Sequence, residues 1–300
     1  MSRRIWAVLA LSAAFSAVPV SAQSTVAQLW EQKVHQKIKT LDDGLNGVLG
    51  VAFIDLTSGH VFSYNGDTSF PTASSIKIPI LIQMFRDEEA GRFHFSDKVT
   101  LGAKDNAGGS VGPLQDALNK GPVTLTVAEL VQYMIEYSDN SATNKCIEMA
   151  GMDRINQLIE GFGLQHTHLR RKMMDVAAAA HGNENIGSPL DLSRLLQLIY
   201  EGKAADADSC KRMIALLKKP VDAYMRSFIP ENIELASKPG DLDGAKCEAG
   251  IVFLPKRPFI VTVMSTYLDL YVNPVGPAAK IVFDYFDKIA HSDEWGRRLD

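Results

Sequence analysis

Segments typical of β-strands lie at both ends of this chain, and helical patterns fill the middle. Residues 49–56, 60–64, 234–238, 245–254 and 259–267 are rich in β-branched and apolar side chains, as strands usually are. A sheet that takes strands from both ends of a chain leaves the intervening segment to form helices of its own. The predicted fold class is therefore α+β: an antiparallel sheet lobe built from both termini and flanked by helices, with an inserted helical lobe.

Helical periodicity supports this division of the chain. Apolar residues recur at helical spacing in residues 25–41, 74–89, 125–134, 141–150, 154–161, 190–200 and 277–289. We expect an α/β lobe from about residues 23–72 and 227–300, and a helical lobe from about residues 73–226. Residues 169–189 have no clean period and are expected to form a long ordered loop, a kind of segment that often carries function.

The first 22 residues have the three parts of an export signal. Arg3 and Arg4 form a charged start, an apolar stretch follows, and small residues end it at Ala22. A membrane anchor is the alternative, but serine and proline residues interrupt the stretch, which is barely long enough to span a bilayer. We therefore predict a signal peptide at residues 1–22, a mature domain of residues 23–300 and a periplasmic location.

The charge of the mature chain argues against nucleic acid as a partner. Without Arg3 and Arg4 the chain holds 29 basic residues against 35 acidic ones, a net charge of −6, whereas nucleic-acid-binding domains are usually basic. No other apolar run is long enough to span a membrane, so no stable membrane insertion is expected after signal cleavage. We expect a monomer.

The cysteines and histidines do not indicate a metal site. Cys146, Cys210 and Cys247 are an odd number in an exported protein, so at most one disulfide can form. None of them stands at zinc-ligand spacing from a histidine. We predict an enzyme with no metal and no other cofactor.

Three short motifs follow one another along the chain: Ser74-Ser75-Ile76-Lys77, Ser138-Asp139-Asn140 and Lys238-Pro239-Gly240. A serine hydroxyl is a poor nucleophile and needs a nearby base, and Ser-x-x-Lys at a helix start puts both side chains on one face. Lys77 can be that base only if burial or a second cation, for which Lys238 is the candidate, lowers its pKa. Each motif alone also fits a helix cap, a solvated lysine or a strand-end turn.

The second and third motifs supply the remaining groups for attack on an acyl compound. Ser138 can relay a proton to a leaving nitrogen, and Asn140 is expected to hydrogen-bond both Lys77 and a substrate amide. Lys238 can hold a substrate carboxylate, and Gly240 lets substrate backbone approach the strand closely.

A fourth motif competes for the nucleophile. Residues 108–112 read Gly-Gly-Ser-Val-Gly and match the Gly-x-Ser-x-Gly nucleophile elbow. That motif needs a buried strand before it, and residues 101–107 are too polar for one. We interpret the segment that contains Ser110 as a loop at the rim of a cleft.

With their flanking residues, the three main motifs resemble those of the class A β-lactamase family. The similarity covers nearly all of the mature chain and is carried by residues 70–77, 125–144 and 244–252. It implies an α/β sheet lobe and a helical lobe with the active site between them. It also implies β-lactam hydrolysis through a serine acyl-enzyme, with a small-molecule β-lactam or a peptidoglycan-like acyl compound as substrate.

The resemblance assigns roles to individual residues. Ser74 is expected to be acylated, Lys77 to act as base, Ser138 as proton relay, Asn140 as substrate clamp and Lys238 as carboxylate anchor. The oxyanion hole is expected to use the backbone N–H groups of Ser74 and Asp241, beside Gly240. Lys246 lies where many members of the family carry a cation that supports the substrate carboxylate.

Two departures from the family pattern concern the chemistry. Pro239 replaces the usual hydroxyl residue of the third motif, and Met173 stands where the family carries the glutamate that activates the deacylating water. Asp175 is the substitute base that we predict, and Glu184 is expected to pair with Arg171 and brace the loop. The alternatives are therefore a D-alanyl-D-alanine peptidase or an esterase on the same fold, or a covalent β-lactam receptor that deacylates slowly.

Overall fold

The computed structural model describes residues 25–299, so the predicted signal peptide lies outside the described residues. The strands of the described part are β1 (Val48–Asp55), β2 (Val61–Tyr64), β3 (Phe70–Pro71), β4 (Lys98–Leu101), β5 (Val123–Thr126), β6 (Ile186–Gly187), β7 (Leu235–Leu242), β8 (Ala245–Val252) and β9 (Phe259–Thr266). Five of them form an antiparallel sheet in the order β2-β1-β9-β8-β7. The predicted antiparallel sheet from both termini is confirmed.

Helices flank the sheet and fill the middle of the chain. They are α1 (Val26–Asp43), α2 (Lys77–Glu89), α3 (Pro113–Leu118), α4 (Val127–Glu136), α5 (Asn140–Ala150), α6 (Met152–Gly161), α7 (Val176–Ala180), α8 (Pro189–Tyr200), α9 (Ala207–Leu217) and α10 (Val275–Ala290). Within residues 25–299, no helix combines the length and the apolar character needed to cross a bilayer.

The two faces of the sheet bury two different cores. Strand side chains alternate between the faces, so Val51 and Phe53 of β1 pack with α1 and α10, whereas Ile54 packs with the helices of the middle segment. In the core beneath α1 and α10, the rings of Phe259 and Phe286 stack with their centroids 4.1 Å apart. The core on the other face joins the sheet to the helical segment, so the elements that carry the three motifs are held against one another.

The long loop at residues 169–189 has more structure than its sequence indicates. It contains α7 and β6, and β6 pairs with β3 just before the first motif. The predicted pairing of Arg171 with Glu184 is confirmed, with Nη2 and Oε1 2.7 Å apart. The side chain of Asn185 also accepts the backbone N–H groups of Arg170 and Arg171, so polar contacts of its own hold the loop in one conformation.

Candidate active site

A short 3₁₀ turn, Ala73–Ile76, presents the serine of the first motif and runs directly into α2. Ala73, the first residue of this turn, has a positive φ of 45°. This conformation is strained for a residue with a side chain, and such strain is common at functional sites. The backbone N–H of Thr72 donates to the carbonyl of Asn185 over 2.9 Å. The turn is therefore anchored to the long loop, and it leaves Ser74 half-buried at the start of a helix.

The ammonium group of Lys77 joins the first two motifs. Its Nζ lies 2.9 Å from Ser74 Oγ, 2.9 Å from Ser138 Oγ and 2.6 Å from the Ser138 carbonyl oxygen. The side chain of Lys77 is fully buried. A single amine therefore contacts both hydroxyl groups, which is the arrangement needed to move a proton from one to the other.

Electrostatics favour an uncharged Lys77. Burial, followed by the nearby charge of Lys238, lowers the pKa of Lys77 well below its usual value. The carboxylates of Asp139 and Asp222 oppose this shift but do not reverse it. An amine with a lowered pKa can accept a proton at neutral pH, as a general base must.

The second motif occupies the junction between α4 and α5, where Ser138 has a positive φ of 54°. Asp139 caps α5 by accepting the N–H of Ala142 over 2.8 Å. The side-chain amide of Asn140 donates to the carbonyl of Gly108 over 3.2 Å. The prediction that Asn140 hydrogen-bonds Lys77 is wrong. The Asn140 amide donates to Gly108 instead, and the Lys77 amine donates to Ser74 and Ser138.

The Gly-x-Ser-x-Gly segment lies in a loop, as predicted, and contacts the second motif. It precedes α3, and a 3₁₀ turn separates it from β4, so it lacks the preceding strand of a nucleophile elbow. The hydroxyl of Ser110 accepts the backbone N–H of Asn140 over 2.8 Å. This contact gives Ser110 a structural role in the loop.

The third motif lies on β7, the edge strand of the sheet. A Cβ at Gly240 would lie 2.9 Å from the backbone nitrogen of Ser74, 2.8 Å from the carbonyl oxygen of Thr72 and 2.6 Å from Cys247 Sγ. Only glycine allows the strand to approach the serine turn so closely. The strand segment that continues into Asp241 therefore borders the backbone N–H of Ser74.

Lys238 faces the same side of β7 as Gly240 and is fully buried. Its Nζ donates to the carbonyl of Pro239 over 2.9 Å. Burial lowers the pKa of Lys238 to about 8. Glu248 lies on the opposite face of the hairpin and is also buried. Its carboxylate accepts a hydrogen bond from the Ser237 hydroxyl over 2.5 Å. Burial raises the pKa of Glu248 to about 7.

Lys246 does not stand as a free cation at the site. It pairs with Asp241, its direct neighbour across the β7–β8 ladder. The second carboxylate oxygen of Asp241 accepts the hydroxyl of Tyr224 over 2.6 Å. The pair was not predicted, although the sequence carries a signal for it: Asp243-Gly244 is a two-residue hairpin turn, and it places Asp241 opposite Lys246.

The three cysteines are buried side chains. Cys146, Cys210 and Cys247 are buried free thiols, so no disulfide joins described residues. Burial raises the pKa of the Cys247 thiol to about 11. Its Sγ packs 3.2 Å from the Ser75 hydroxyl and 2.9 Å from the Thr72 carbonyl oxygen, which makes Cys247 a packing residue under the serine turn.

The side chain of Asn144 holds the backbone of Met173 close to α5, the helix that follows the second motif. The side chain of Asn144 donates to the Met173 carbonyl over 3.0 Å and accepts the Met173 N–H over 2.7 Å. Asn144 lies four residues after Asn140 in α5 and therefore on the same face of that helix. The thioether of Met173 is buried, so this position places an apolar side chain and no carboxylate next to the site.

Asp175 lies two residues further along the loop and is exposed. Its Oδ1 accepts the N–H of Ala178 over 2.9 Å and caps α7. The carboxylate thus has a structural contact, and its predicted role as a base stays a prediction.

Comparison with known proteins places this arrangement in a family. A profile of the β-lactamase enzyme family matches residues 33–286. The chain belongs to that family. The resemblance to class A β-lactamases predicted from the motifs is confirmed, and a β-lactamase from Proteus vulgaris is 25% identical over 240 residues, which cover 78% of each chain.

Solved structures of a β-lactamase and of PBP-A share the fold. A β-lactamase from Sphaerobacter thermophilus is 30% identical, with a TM-score of 0.78 over 86% of this chain and 97% of that chain. A mutant of PBP-A, solved as an acyl-enzyme complex with penicillin G, is 26% identical, with a TM-score of 0.78 and the same coverage of 86% and 97%.

Proposed function

We propose that the protein hydrolyses β-lactams through an acyl-enzyme formed on Ser74. The observation that carries the proposal is the buried amine of Lys77, which lies 2.9 Å from the hydroxyls of both Ser74 and Ser138. Membership of the β-lactamase enzyme family supports the choice of substrate.

Acylation uses the contacts of Lys77 in order. The uncharged amine takes the proton of Ser74 as Oγ bonds to the lactam carbonyl carbon. The lysine then passes a proton through Ser138 Oγ to the ring nitrogen, which leaves as the carbon–nitrogen bond breaks. The backbone N–H groups of Ser74 and Asp241 stabilise the oxyanion in between.

The remaining residues hold the substrate. The amide of Asn140 exchanges its bond with Gly108 for one with the acyl side chain of the substrate, and Lys238 attracts the carboxylate beside the lactam ring. Gly240 leaves room for the substrate to lie along the edge of β7.

A covalent β-lactam receptor is the second candidate function. The buried thioether of Met173 favours it, because a thioether cannot activate the water that releases the acyl group. PBP-A, a structural relative, was captured in mutant form as an acyl-enzyme complex with penicillin G. A hydrolase that deacylates slowly and a receptor differ only in the rate of this last step.

The substrate class is tested by assaying one preparation with three compounds: nitrocefin, a D-Ala-D-Ala peptide and a p-nitrophenyl ester. Under the proposal nitrocefin is hydrolysed with repeated turnover. Turnover of the peptide or the ester but not of nitrocefin would replace the proposal by the peptidase or the esterase. Covalent labelling with no turnover would replace it by the receptor.

Replacing Lys238 with methionine is expected to change both the rate and the pH dependence of acylation. Loss of a charge-assisted hydrogen bond costs about 1.5–3 kcal/mol, so penicillin should react roughly 10- to 150-fold more slowly. Loss of the charge beside Lys77 also raises the pKa of Lys77. Because a lysine base acts when deprotonated, the acid limb of the rate profile should move to higher pH.

Rate profiles with penicillin and with a neutral p-nitrophenyl ester separate these two effects. In the wild type, reactivity with penicillin should fall above about pH 8, where Lys238 loses its charge, while reactivity with the ester should persist. Lys246→Ala is the matched control, since Lys246 lies on the other face of the hairpin and its loss should leave the acid limb in place. An acid limb unmoved in Lys238→Met would exclude Lys77 as the base.

Location and organisation complete the proposal. The charged, apolar and small-residue parts of residues 1–22 support export to the periplasm, with residues 23–300 in the mature chain. We propose that the mature protein is a monomer. N-terminal sequencing of the exported protein, which should begin at Gln23, tests this cleavage site. The mature chain then divides into an α/β lobe of about residues 23–72 and 227–300 and a helical lobe of about residues 73–226.

A further inference from the structure

We propose that Glu248 is a positioning residue that fixes Lys238 at the site and keeps its side chain charged. The inference rests on the proposed function and gives a role to a buried carboxylate that the acylation steps do not use. Glu248 lies on β8, opposite Pro239 in the β7–β8 ladder, and none of its surface is exposed. A buried carboxylate is costly unless its oxygens are hydrogen-bonded, so the partners of Glu248 indicate what it holds in place.

Each oxygen of the Glu248 carboxylate accepts a hydrogen bond from a different element. Oε1 accepts the Ser237 hydroxyl over 2.5 Å, and Oε2 accepts the backbone N–H of Met225 over 2.9 Å. Met225 belongs to the 3₁₀ turn Tyr224–Phe228, and Ser237 directly precedes Lys238 on β7. The carboxylate therefore joins this turn to the strand at the residue before the lysine.

The backbone of β7 is also fixed at this place from the side of the serine turn. The carbonyl oxygen of Lys238 accepts the hydroxyl of Ser75 over 3.0 Å. On the side of Glu248, a Cβ at Gly250 would lie 3.1 Å from the Cβ of Ser237, so the glycine leaves room for the serine to reach its partner. Support from both sides keeps a functional side chain in one position.

Charge connects Glu248 with Lys238 as well. Burial lowers the pKa of Lys238 to about 8, and the charges of Asp222 and Glu248 oppose this effect. In return, the charge of Lys238 opposes the rise that burial causes in the pKa of Glu248, which reaches about 7. Asp222 is exposed to solvent, which screens its charge. Glu248 acts from the interior, where screening is weak.

The other ionisable groups on these elements leave the coupling in place. The thiol of Cys247 is neutral below its pKa of about 11, and burial raises the pKa of the Tyr224 hydroxyl, so neither is charged near pH 8. Burial lowers the pKa of Lys77 well below its usual value. Asp241 and Lys246 form an ion pair further along the hairpin. β9 and α10 contribute apolar side chains to the core on the face of Glu248.

The coupling is tested by titrating Lys238 directly by NMR in protein with isotope-labelled lysine. The Lys238 signal is identified by its loss in Lys238→Met. Glu248→Gln keeps the size of the side chain and an oxygen that can accept the Met225 N–H, but it removes the charge. The midpoint of the Lys238 titration, expected near pH 8 in the wild type, should fall by about one unit.

Two variants separate charge from structure in this measurement. Glu248→Asp keeps the charge, so the Lys238 midpoint should stay close to that of the wild type. Asp243→Asn is the matched control for loss of a negative charge, because Asp243 is an exposed acid in the turn of the same hairpin. It should leave the midpoint unchanged.

The reaction should follow the charge of Lys238. In Glu248→Gln the alkaline limb of acylation by penicillin should move to lower pH, so that at about pH 9 the rate is about tenfold below that of the wild type. The pH dependence with a neutral p-nitrophenyl ester should not change over this range. A residue that only stabilises the fold would change the rates with both compounds at every pH.

Lys238→Met gives the reciprocal test in a chain that keeps Glu248. Coupling between two sites acts equally on both, so loss of the lysine charge should raise the titration midpoint of the Glu248 carboxyl carbon above about pH 7. This measurement does not depend on the folding of any Glu248 variant.

An unchanged Glu248 midpoint in Lys238→Met, an unchanged Lys238 midpoint in Glu248→Gln, or an equal shift in Asp243→Asn would each overturn the inference. The NMR titrations use no substrate, so they are independent of turnover. If both midpoints move as expected while penicillin does not react, the role of Glu248 towards Lys238 stands and the hydrolase proposal falls.

Discussion

Replacing Ser74 with alanine is expected to abolish covalent labelling by a fluorescent penicillin and to slow the first opening of the nitrocefin ring by about a million-fold. Loss of a serine nucleophile in a hydrolase has an effect of roughly this size. In this chain the hydroxyl of Ser74 lies 2.9 Å from the buried Lys77 amine. Ala73, directly before Ser74, has a positive φ, and burial lowers the pKa of the Lys77 amine. Intact mass spectrometry gives the label stoichiometry directly.

Ser110→Ala is the control for this prediction. Ser110 belongs to the competing Gly-x-Ser-x-Gly motif, and its hydroxyl supports the backbone of Asn140. The variant should keep full label stoichiometry, with a modest loss of rate because Asn140 is less well held. Wild-type labelling in Ser74→Ala, or loss of the label only in Ser110→Ala, would return the nucleophile to the elbow motif.

Replacing Met173 with glutamate is expected to convert slow deacylation into rapid turnover. The wild type should show burst kinetics with nitrocefin: a fast phase stoichiometric with enzyme, then a slow steady rate. General-base catalysis contributes roughly 10²–10⁴-fold, so the steady rate of Met173→Glu should rise by up to this factor while the burst amplitude disappears. The two hydrogen bonds between the Asn144 side chain and the Met173 backbone, here called the Asn144 clasp, should keep the new carboxylate beside the site.

Met173→Gln is the matched control, since it has the size of glutamate without a basic oxygen. It should retain the burst and the slow steady rate in stopped-flow absorbance. Asp175→Asn completes the series. A slower steady phase with an intact burst would support Asp175 as the base. An unchanged steady phase would mean that the Asp175 carboxylate serves only to cap α7. A wild type with rapid turnover and no burst would contradict the alignment of Met173 with the missing glutamate.

The sheet and most helices followed from local patterns, and the exceptions have physical reasons. β7 was predicted to end at Lys238 but extends to Leu242. Pro239 and Gly240 are poor strand formers, yet an edge strand tolerates both. α9 was not predicted because its buried face uses Ser209 and Cys210 where periodicity needs strongly apolar residues.

The site was predictable where short motifs carry it and unpredictable where tertiary contacts do. Ser74 and Lys77 are three residues apart, and helical geometry alone brings them together. The clasp between Asn144 and Met173 joins residues 29 positions apart through the loop conformation. Only the folded chain reveals such a contact.

The strand order determines when during synthesis the nucleophile can become competent. β1 pairs along its length with β9, so that Asp55 lies opposite Phe259, and the serine turn packs on β7 near the C-terminal end. Ser74 therefore emerges early, while β7, which completes its surroundings, emerges only after the whole helical segment. Pairings between segments so distant in sequence form late, and an unfinished chain holds neither Lys238 nor the backbone of Gly240 beside its serine. We therefore expect a nascent chain to be unreactive towards acyl compounds until β7 has been made and has packed against the serine turn.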